Sequence, residues 1–133
     1  MFSSSVLDPS QLTDPRQALL CARLHLRGAK RLFHRGSIKR GTAALYDSVL
    51  FGMYYYIASH EGCADVDRND AAAVFQLLAR VGIFEDQHTF NRLSLAVEHI
   101  LWQGSDSFHA NAILAEVEDM LRKLGVMKIQ KTQ

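Results

Sequence analysis

The sequence predicts an all-α protein. Apolar residues recur at alternating three- and four-residue spacing in five successive stretches, which places them along one side of a helix in each stretch. A glycine follows every stretch, as at helix C-termini, and Asp, Asn or Ser stands before most of them, as at N-caps. No segment has a convincing strand pattern. We therefore expect an antiparallel, up-and-down bundle of about five helices over residues 14–125, with flexible termini at 1–13 and 126–133.

Length and composition exclude several classes of protein. The 133 residues are 48% hydrophobic and 22% charged, which is typical of one globular domain and not of a disordered chain. The most apolar stretch without Asp, Glu, Lys or Arg, 48–60, is too short for a membrane span of about 20 residues. Cys21 and Cys63 form no CxxC pair, so we expect no zinc site. The chain also has no P-loop and no GxGxxG motif, and we expect no other metal or cofactor. We expect a cytoplasmic protein.

The first two helices differ in their apolar surfaces. Asp14-Pro15 marks the start of an amphipathic first helix that ends at Gly36. Ser37 is the expected N-cap of a second helix extending to about residue 60. This helix is apolar nearly all round, which places it at the centre of the bundle or in a subunit interface. A line of small residues along it permits close approach of a neighbouring helix: Gly41, Ala44, Ser48, Gly52 and Ser59.

Three shorter helices complete the predicted bundle. The third begins after residue 69 or 70 and ends at 82, and the fourth begins between 86 and 89 and ends at 104. The fifth follows the turn at 104–107 and ends at 125. Trp102, near the end of the fourth helix, is expected to pack against the core.

Charge is distributed unevenly along the chain. Eight basic residues and no acid lie between residues 16 and 40, whereas eleven acids and three arginines lie between 61 and 120. Such segregation indicates an interaction surface, or two oppositely charged faces that meet within or between subunits. The candidate phosphate-binding residues form a stripe on the first helix and the start of the second: Arg23, Arg27, Lys30, Arg31, Arg35, Lys39 and Arg40. Phe33 and His34 beside them offer stacking to an unpaired base.

The order of these elements carries a resemblance to a known family. A basic-aromatic turn, RLFHRG, precedes a central helix with clustered tyrosines, AALYDSVLFGMYYYIASHEG, and a long interrupted helical region follows. Over residues 14–125 this pattern resembles the HEPN-like group of small α-helical bundles, whose central helix commonly carries an aromatic pair followed by small residues. Tyr54-Tyr55-Tyr56 with Ala58 and Ser59 is similar. The resemblance implies frequent homodimerisation and either metal-independent ribonuclease activity or a role as partner or substrate of a small nucleotidyltransferase.

The ribonuclease motif of that family is an Arg followed, after four to six residues, by a His. Arg92 and His99 match it with six intervening residues, which places both side chains on one helix face about 10 Å apart along the axis. The His would act as general acid or base and the Arg would neutralise developing phosphorane charge. Active members tend to carry a polar residue directly after the Arg, where this chain has Leu93. The alternative is that Arg92 and His99 are surface or interface residues.

Asp47 is the sole acid between residues 14 and 61, and it lies on the most apolar helix. We expect it to form a structural ion pair with Arg23, Arg27 or Arg92, because an unpaired buried carboxylate is costly. The alternative is a catalytic acid.

We therefore expect a homodimeric binding module. Its expected partner is a nucleotidyltransferase or a nucleic acid or nucleotide, bound through the basic first helix. The alternatives are a metal-independent endoribonuclease that uses Arg92 and His99 across the dimer, and a stand-alone protein-interaction bundle.

Overall fold

The computed structural model describes residues 14–60, 70–84, 89–103 and 107–128. These residues form five α-helices and contain no strand, which confirms the predicted all-α class. The helices are α1 (Pro15–His34), α2 (Ile38–Ser59), α3 (Ala71–Arg80), α4 (Thr89–Gln103) and α5 (Ser107–Lys123). In the described part of the chain, no helix is both long enough and apolar enough to span a membrane.

Side chains and glycines define the helix ends as the sequence predicts. The Asp14 carboxylate accepts a hydrogen bond from the Arg16 amide at 2.9 Å, and the Asp70 carboxylate accepts one from the Ala73 amide at 3.1 Å. Three helices end in a glycine with positive φ, a conformation that side chains with a Cβ rarely adopt: Gly36, Gly82 and Gly125. The predicted stops at Gly62 and Gly104 lie outside the described residues.

Ser37 links α1 to α2 in a different way from the predicted N-cap. It stands at the N-cap position of α2, but its side chain makes no capping hydrogen bond. Instead, its backbone N–H donates to the Leu32 carbonyl at 2.8 Å, while the Gly36 N–H donates to the Phe33 carbonyl at 3.0 Å. These two bonds form a Schellman motif that ends α1. Ser37 therefore ends one helix and begins the next without using its hydroxyl.

The apolar second helix is the central helix, as predicted. α2 contacts each of the other four helices and contributes the largest set of buried residues. Gly41, near the start of α2, meets Phe33 near the end of α1, whereas Ser48 and Phe51 meet the earlier residues Ala22 and His25. Neighbouring helices therefore cover most of α2.

The small residues of α2 contact two different neighbours. The buried Ser48 hydroxyl donates to the Ala22 carbonyl of α1 at 2.7 Å, and a Cβ at Gly41 would lie 2.6 Å from the Phe33 ring. A Cβ at Gly52 would instead meet Leu121, Leu124 and Val126, at 3.0–3.2 Å. The small residues of α2 thus allow α1 to pack closely at Gly41 and Ser48, and the C-terminal end of α5 to pack closely at Gly52.

One hydrophobic core connects all five helices and extends beyond residue 125. Aromatic rings join α3 to α4: Phe75 stacks on Phe84 and Phe90, with ring centroids 4.9 and 5.4 Å apart. Val126, which the sequence analysis assigned to the flexible C-terminal segment, is only 1% exposed and belongs to this core. Trp102, the expected packing residue, is 83% exposed, so that prediction is wrong.

Candidate functional site

The predicted phosphate-binding residues are all exposed. Arg23, Arg27 and Arg31 of α1 and Arg35 at its C-cap recur every four residues, opposite the side of α1 on which Ala18, Ala22, Leu26 and Ala29 are buried. Lys30, Lys39 and Arg40 are exposed as well. We call these seven residues the basic face: Arg23, Arg27, Lys30, Arg31, Arg35, Lys39 and Arg40.

Two members of the basic face have partners within the protein. The Lys30 ammonium lies 2.7 Å from the Glu118 carboxylate of α5. The Arg23 Nε donates a hydrogen bond to the Val126 carbonyl at 2.9 Å. The other five make no ion pair with another described residue. Most of the positive charge on this face is therefore not neutralised by the described part of the chain.

Arg92 and His99 border a common cleft between α4 and α5. The cleft has a volume of about 290 Å³, and its walls are the apolar side chains of Ala96, Ile100, Ala112 and Ile113. The half-buried Glu116 enters it from α5. A cation, an imidazole and a carboxylate therefore lie around one apolar hollow. Arg27 and His34 of the first helix have the same motif spacing, with six intervening residues, but they do not share a cavity, because His34 lines a different cavity that Arg27 does not line.

Leu93, at the position where active HEPN-like proteins tend to carry a polar residue, is a core residue here. Its side chain is 1% exposed and packs in the hydrophobic core. The adjacent Arg92 is exposed, so the two side chains lie on different sides of α4. The polar residue that α5 adds to the cleft beside Arg92 and His99 is Glu116.

Asp47 lies on an exposed part of α2, although most of this helix is buried. Desolvation by the surrounding protein raises the pKa of its carboxyl, and the nearby charge of His25 opposes that increase. No ion pair joins Asp47 to Arg23 or Arg27 in the described residues. His25, which was not among the partners considered from the sequence, is a charged group close enough to affect the Asp47 carboxyl.

His25 is held in place by two contacts. Its Nδ1 donates to the Cys21 carbonyl at 2.8 Å, and its ring lies 5.0 Å from the Phe51 ring. Since a carbonyl oxygen only accepts, this bond assigns the ring proton to Nδ1. Partial burial raises the pKa of the Cys21 thiol, which disfavours its nucleophilic thiolate form. Cys63 lies outside the described residues.

The sequence patterns did not identify Glu116, Glu118 and Asn111 as candidate site residues. All three are polar residues on α5, and the helical pattern identifies the buried side of α5 without revealing which neighbour each polar edge contacts. The opposite charges of Lys30 and Glu118 could have suggested that these two residues pair. Nothing in the local sequence indicates that Glu116 or Asn111 lines a cavity. Among the described residues, no group of three or more His, Cys, Asp or Glu side chains is arranged to hold a metal ion.

Comparison with known proteins adds no relative. No family model, curated protein or solved structure matches the chain. The resemblance to the HEPN-like group therefore rests on the sequence pattern alone.

Proposed function

We propose that this protein is a helical-bundle binding module whose basic face binds the phosphates of a nucleic acid. The observation that carries the proposal is a row of exposed cations on α1 and the start of α2, five of which have no ion-pair partner among the described residues. Neutralising phosphates with such a row releases condensed counterions, which favours binding. A merely solvated helix face generally carries both signs of charge.

Binding of a short fluorescent RNA oligonucleotide at several salt concentrations tests this proposal. The logarithm of the association constant should fall linearly with the logarithm of salt concentration, by about 0.7 per phosphate contact for a single strand. The double variant Arg27→Glu/Arg31→Glu should weaken binding and reduce the slope by about 1.4. A slope near zero, or a slope that the double variant leaves unchanged, contradicts phosphate contacts on this face.

A matched control separates a local effect from net charge. Arg80→Glu/Lys128→Glu changes the net charge equally at two exposed positions outside the basic face. It should leave the slope close to that of the unmodified protein. Polyglutamate, a polyanion without phosphates, should compete poorly; equal competition would instead favour an acidic protein partner.

The resemblance to the HEPN-like group supports a finer proposal, an antiparallel up-and-down bundle that forms a homodimer. The antiparallel arrangement is favoured because the start of α2, at Gly41, meets the end of α1, at Phe33, while the later Ser48 meets the earlier Ala22. Leu95 and Trp102 favour a dimer, because they are 66% and 83% exposed on the same face of α4 as Arg92 and His99. A small nucleotidyltransferase is the protein partner that the resemblance implies, and co-purification with such an enzyme tests it.

A metal-independent endoribonuclease is the second candidate function. The specific observation in its favour is that Arg92 and His99 border one cleft. With His99 as general base, the ribose 2′-hydroxyl loses its proton and attacks the adjacent phosphorus, and the 5′-oxygen leaves with a proton from a general acid. The Arg92 guanidinium would stabilise the charge that develops on the phosphoryl oxygens. The products would be a 2′,3′-cyclic phosphate and a 5′-hydroxyl.

Incubation with mixed RNA in the presence of EDTA tests the enzymatic candidate. His99→Ala and Arg92→Ala should each abolish cleavage, whereas His60→Ala, at an exposed histidine that stacks on Tyr56, should not. The absence of cleavage, or cleavage that survives His99→Ala, removes this candidate and leaves the binding function intact.

A further inference from the structure

A second cavity lies next to the basic face. It has a volume of about 270 Å³ and forms where the end of α1, the start of α2 and the start of α5 meet. Phe33, Ile38 and Leu114 supply its apolar walls, while Lys30, His34 and Asn111 supply polar groups. Lys30 is the residue of the basic face that lines this cavity, and the cavity shares no lining residue with the α4–α5 cleft.

The Phe33 ring is a fixed part of the cavity wall. Gly41 lets the ring lie directly on the backbone of α2, since a Cβ at that position would be 2.6 Å from two ring carbons. A ring packed this closely against the α2 backbone has little room to reorient when a ligand enters the cavity. The wall is therefore preorganised, which lowers the entropic cost of binding.

The charge around the cavity selects an anionic ligand. Lys30 and His34 line it, and the exposed Arg31 and Arg35 lie within five residues of Lys30 on the same helix. Glu118 is the sole carboxylate that the described residues place against this group of cations, and it is bonded to Lys30 at 2.7 Å. Glu118 thus acts as an internal counter-ion that a phosphate would have to displace or share.

We propose that this cavity holds one unpaired nucleobase of a strand whose phosphates follow the basic face. The inference rests on the proposed nucleic-acid binding and specifies its substrate as single-stranded. The base would contact Phe33, Ile38 and Leu114, and the Asn111 amide, which both donates and accepts hydrogen bonds, would pair with its edge. Lys30 and His34 would contact the adjoining phosphates.

Size and chemistry favour a nucleobase over other anionic ligands. Pockets for drug-sized molecules span about 300–1,000 Å³, so a cavity of 270 Å³ suits a single base and not a dinucleotide cofactor. Stacking on an aromatic side chain contributes to the binding of any base, whatever its identity. An acidic peptide would satisfy the cations but would fill the wall formed by Phe33 only where it also carried an aromatic side chain, whereas every nucleotide carries a flat ring.

The experiment compares two RNA oligonucleotides of equal length, one of which is abasic at every position and so has the same phosphates without bases. The base-bearing strand should bind at least about fivefold more tightly, as expected for one stacked base. Asn111→Leu and His34→Ala, both at exposed positions, should remove most of that difference. Asn91→Leu, at an exposed asparagine of α4, is the matched control and should preserve it.

The outcomes distinguish this inference from the proposed function. If both strands bind equally and Asn111→Leu changes neither affinity, the cavity is not a base site, while phosphate binding stands. If neither strand binds, the proposal that the basic face binds nucleic acid is wrong. Titration with adenosine monophosphate then tests whether the cavity by itself binds a nucleobase. NMR chemical-shift changes at Asn111 and His34 in that titration would support base binding in the cavity, and their absence would overturn it.

The ion pair between Lys30 and Glu118 allows a test in which a substitution should strengthen RNA binding, whereas the variants above should weaken it. Glu118→Gln should strengthen binding of both strands, because it frees the Lys30 ammonium for a phosphate. Asp119→Asn removes the same charge from the neighbouring position, where the carboxylate lies 3.3 Å from Lys123. It should have a smaller effect. Equal effects of the two variants would show that Lys30 is not a ligand of the strand.

Discussion

Two glycines of α1 and α2 have opposite surroundings. A Cβ at Gly41 would lie 2.6 Å from the Phe33 ring and 3.2 Å from the Ala29 carbonyl, whereas a Cβ at Gly28 would meet no atom within 4 Å. Gly41→Ala should therefore destabilise the protein by about 1–3 kcal/mol through overpacking. Gly28→Ala should stabilise it by about 0.5–1 kcal/mol, because glycine is unfavourable inside a helix. Urea denaturation measures both, and equal shifts would contradict the close packing at Gly41.

The Asp47 carboxyl predicts a specific dependence of stability on pH. Its pKa is raised in the folded protein by desolvation, so the folded state binds this proton more tightly than the unfolded state. Stability contributed by this group is then lost as the pH rises from the unfolded pKa through the folded pKa. Asp47→Asn should leave stability equal or higher near neutral pH, with the difference vanishing in acid.

Thermal unfolding over a range of pH checks this expectation. Glu98→Gln, at an exposed acid of α4, is the control for loss of one negative charge. A large loss of stability at neutral pH in Asp47→Asn would instead show that Asp47 makes a stabilising ion pair, as the sequence analysis expected.

At the scale of elements, α3 is the helix whose start depends most on one side chain. It has ten residues, three of them buried, and the Asp70 carboxylate caps its N-terminus through the Ala73 amide. Asp70→Ala should cost about 0.5–2 kcal/mol. Hydrogen exchange should show faster opening of the α3 amides, while the central amides of α2 remain protected more strongly. Unchanged exchange in α3 would show that packing alone fixes this helix.

The sequence predicts helix existence and ends well because local chemistry decides them. The capping aspartates at 14 and 70 and the glycines at 36, 82 and 125 act within a few residues of their own position. The all-round apolar character of α2 likewise predicts its central location, since each of its sides needs a neighbour. These predictions require no knowledge of the tertiary arrangement.

Other features could not be predicted because they depend on which elements meet. The apolar Trp102 was expected to be buried, but it is 83% exposed. Nothing in the sequence indicates that His25 lies close enough to Asp47 to oppose the desolvation that raises its pKa. In the candidate sites, the motif spacing predicts a shared face for Arg92 and His99 but not the arrival of Glu116 from α5.

At the scale of the whole molecule, the fluorescence of Trp102 can be used to follow the association of two copies of the chain. It is the single tryptophan of the chain, and it is highly exposed beside Leu95. If the α4 face forms the proposed homodimer, tryptophan emission should shift to shorter wavelength as protein concentration rises, and acrylamide quenching should weaken. Sedimentation velocity on the same samples measures dimer formation. A dimer that leaves the emission unchanged would place the interface on another face.

The contact of Gly52 with Leu121, Leu124 and Val126 has a consequence for synthesis on the ribosome. The middle of α2 remains uncovered until the chain around residue 126 has left the exit tunnel, although α1 and α2 have already emerged. Once α1 and α2 have left the tunnel, they therefore present an apolar surface to chaperones until the chain around residue 126 has followed. Stop codons that remove residues near 121–126 should yield chains that are retained by chaperones and degraded, even though both candidate sites precede those positions.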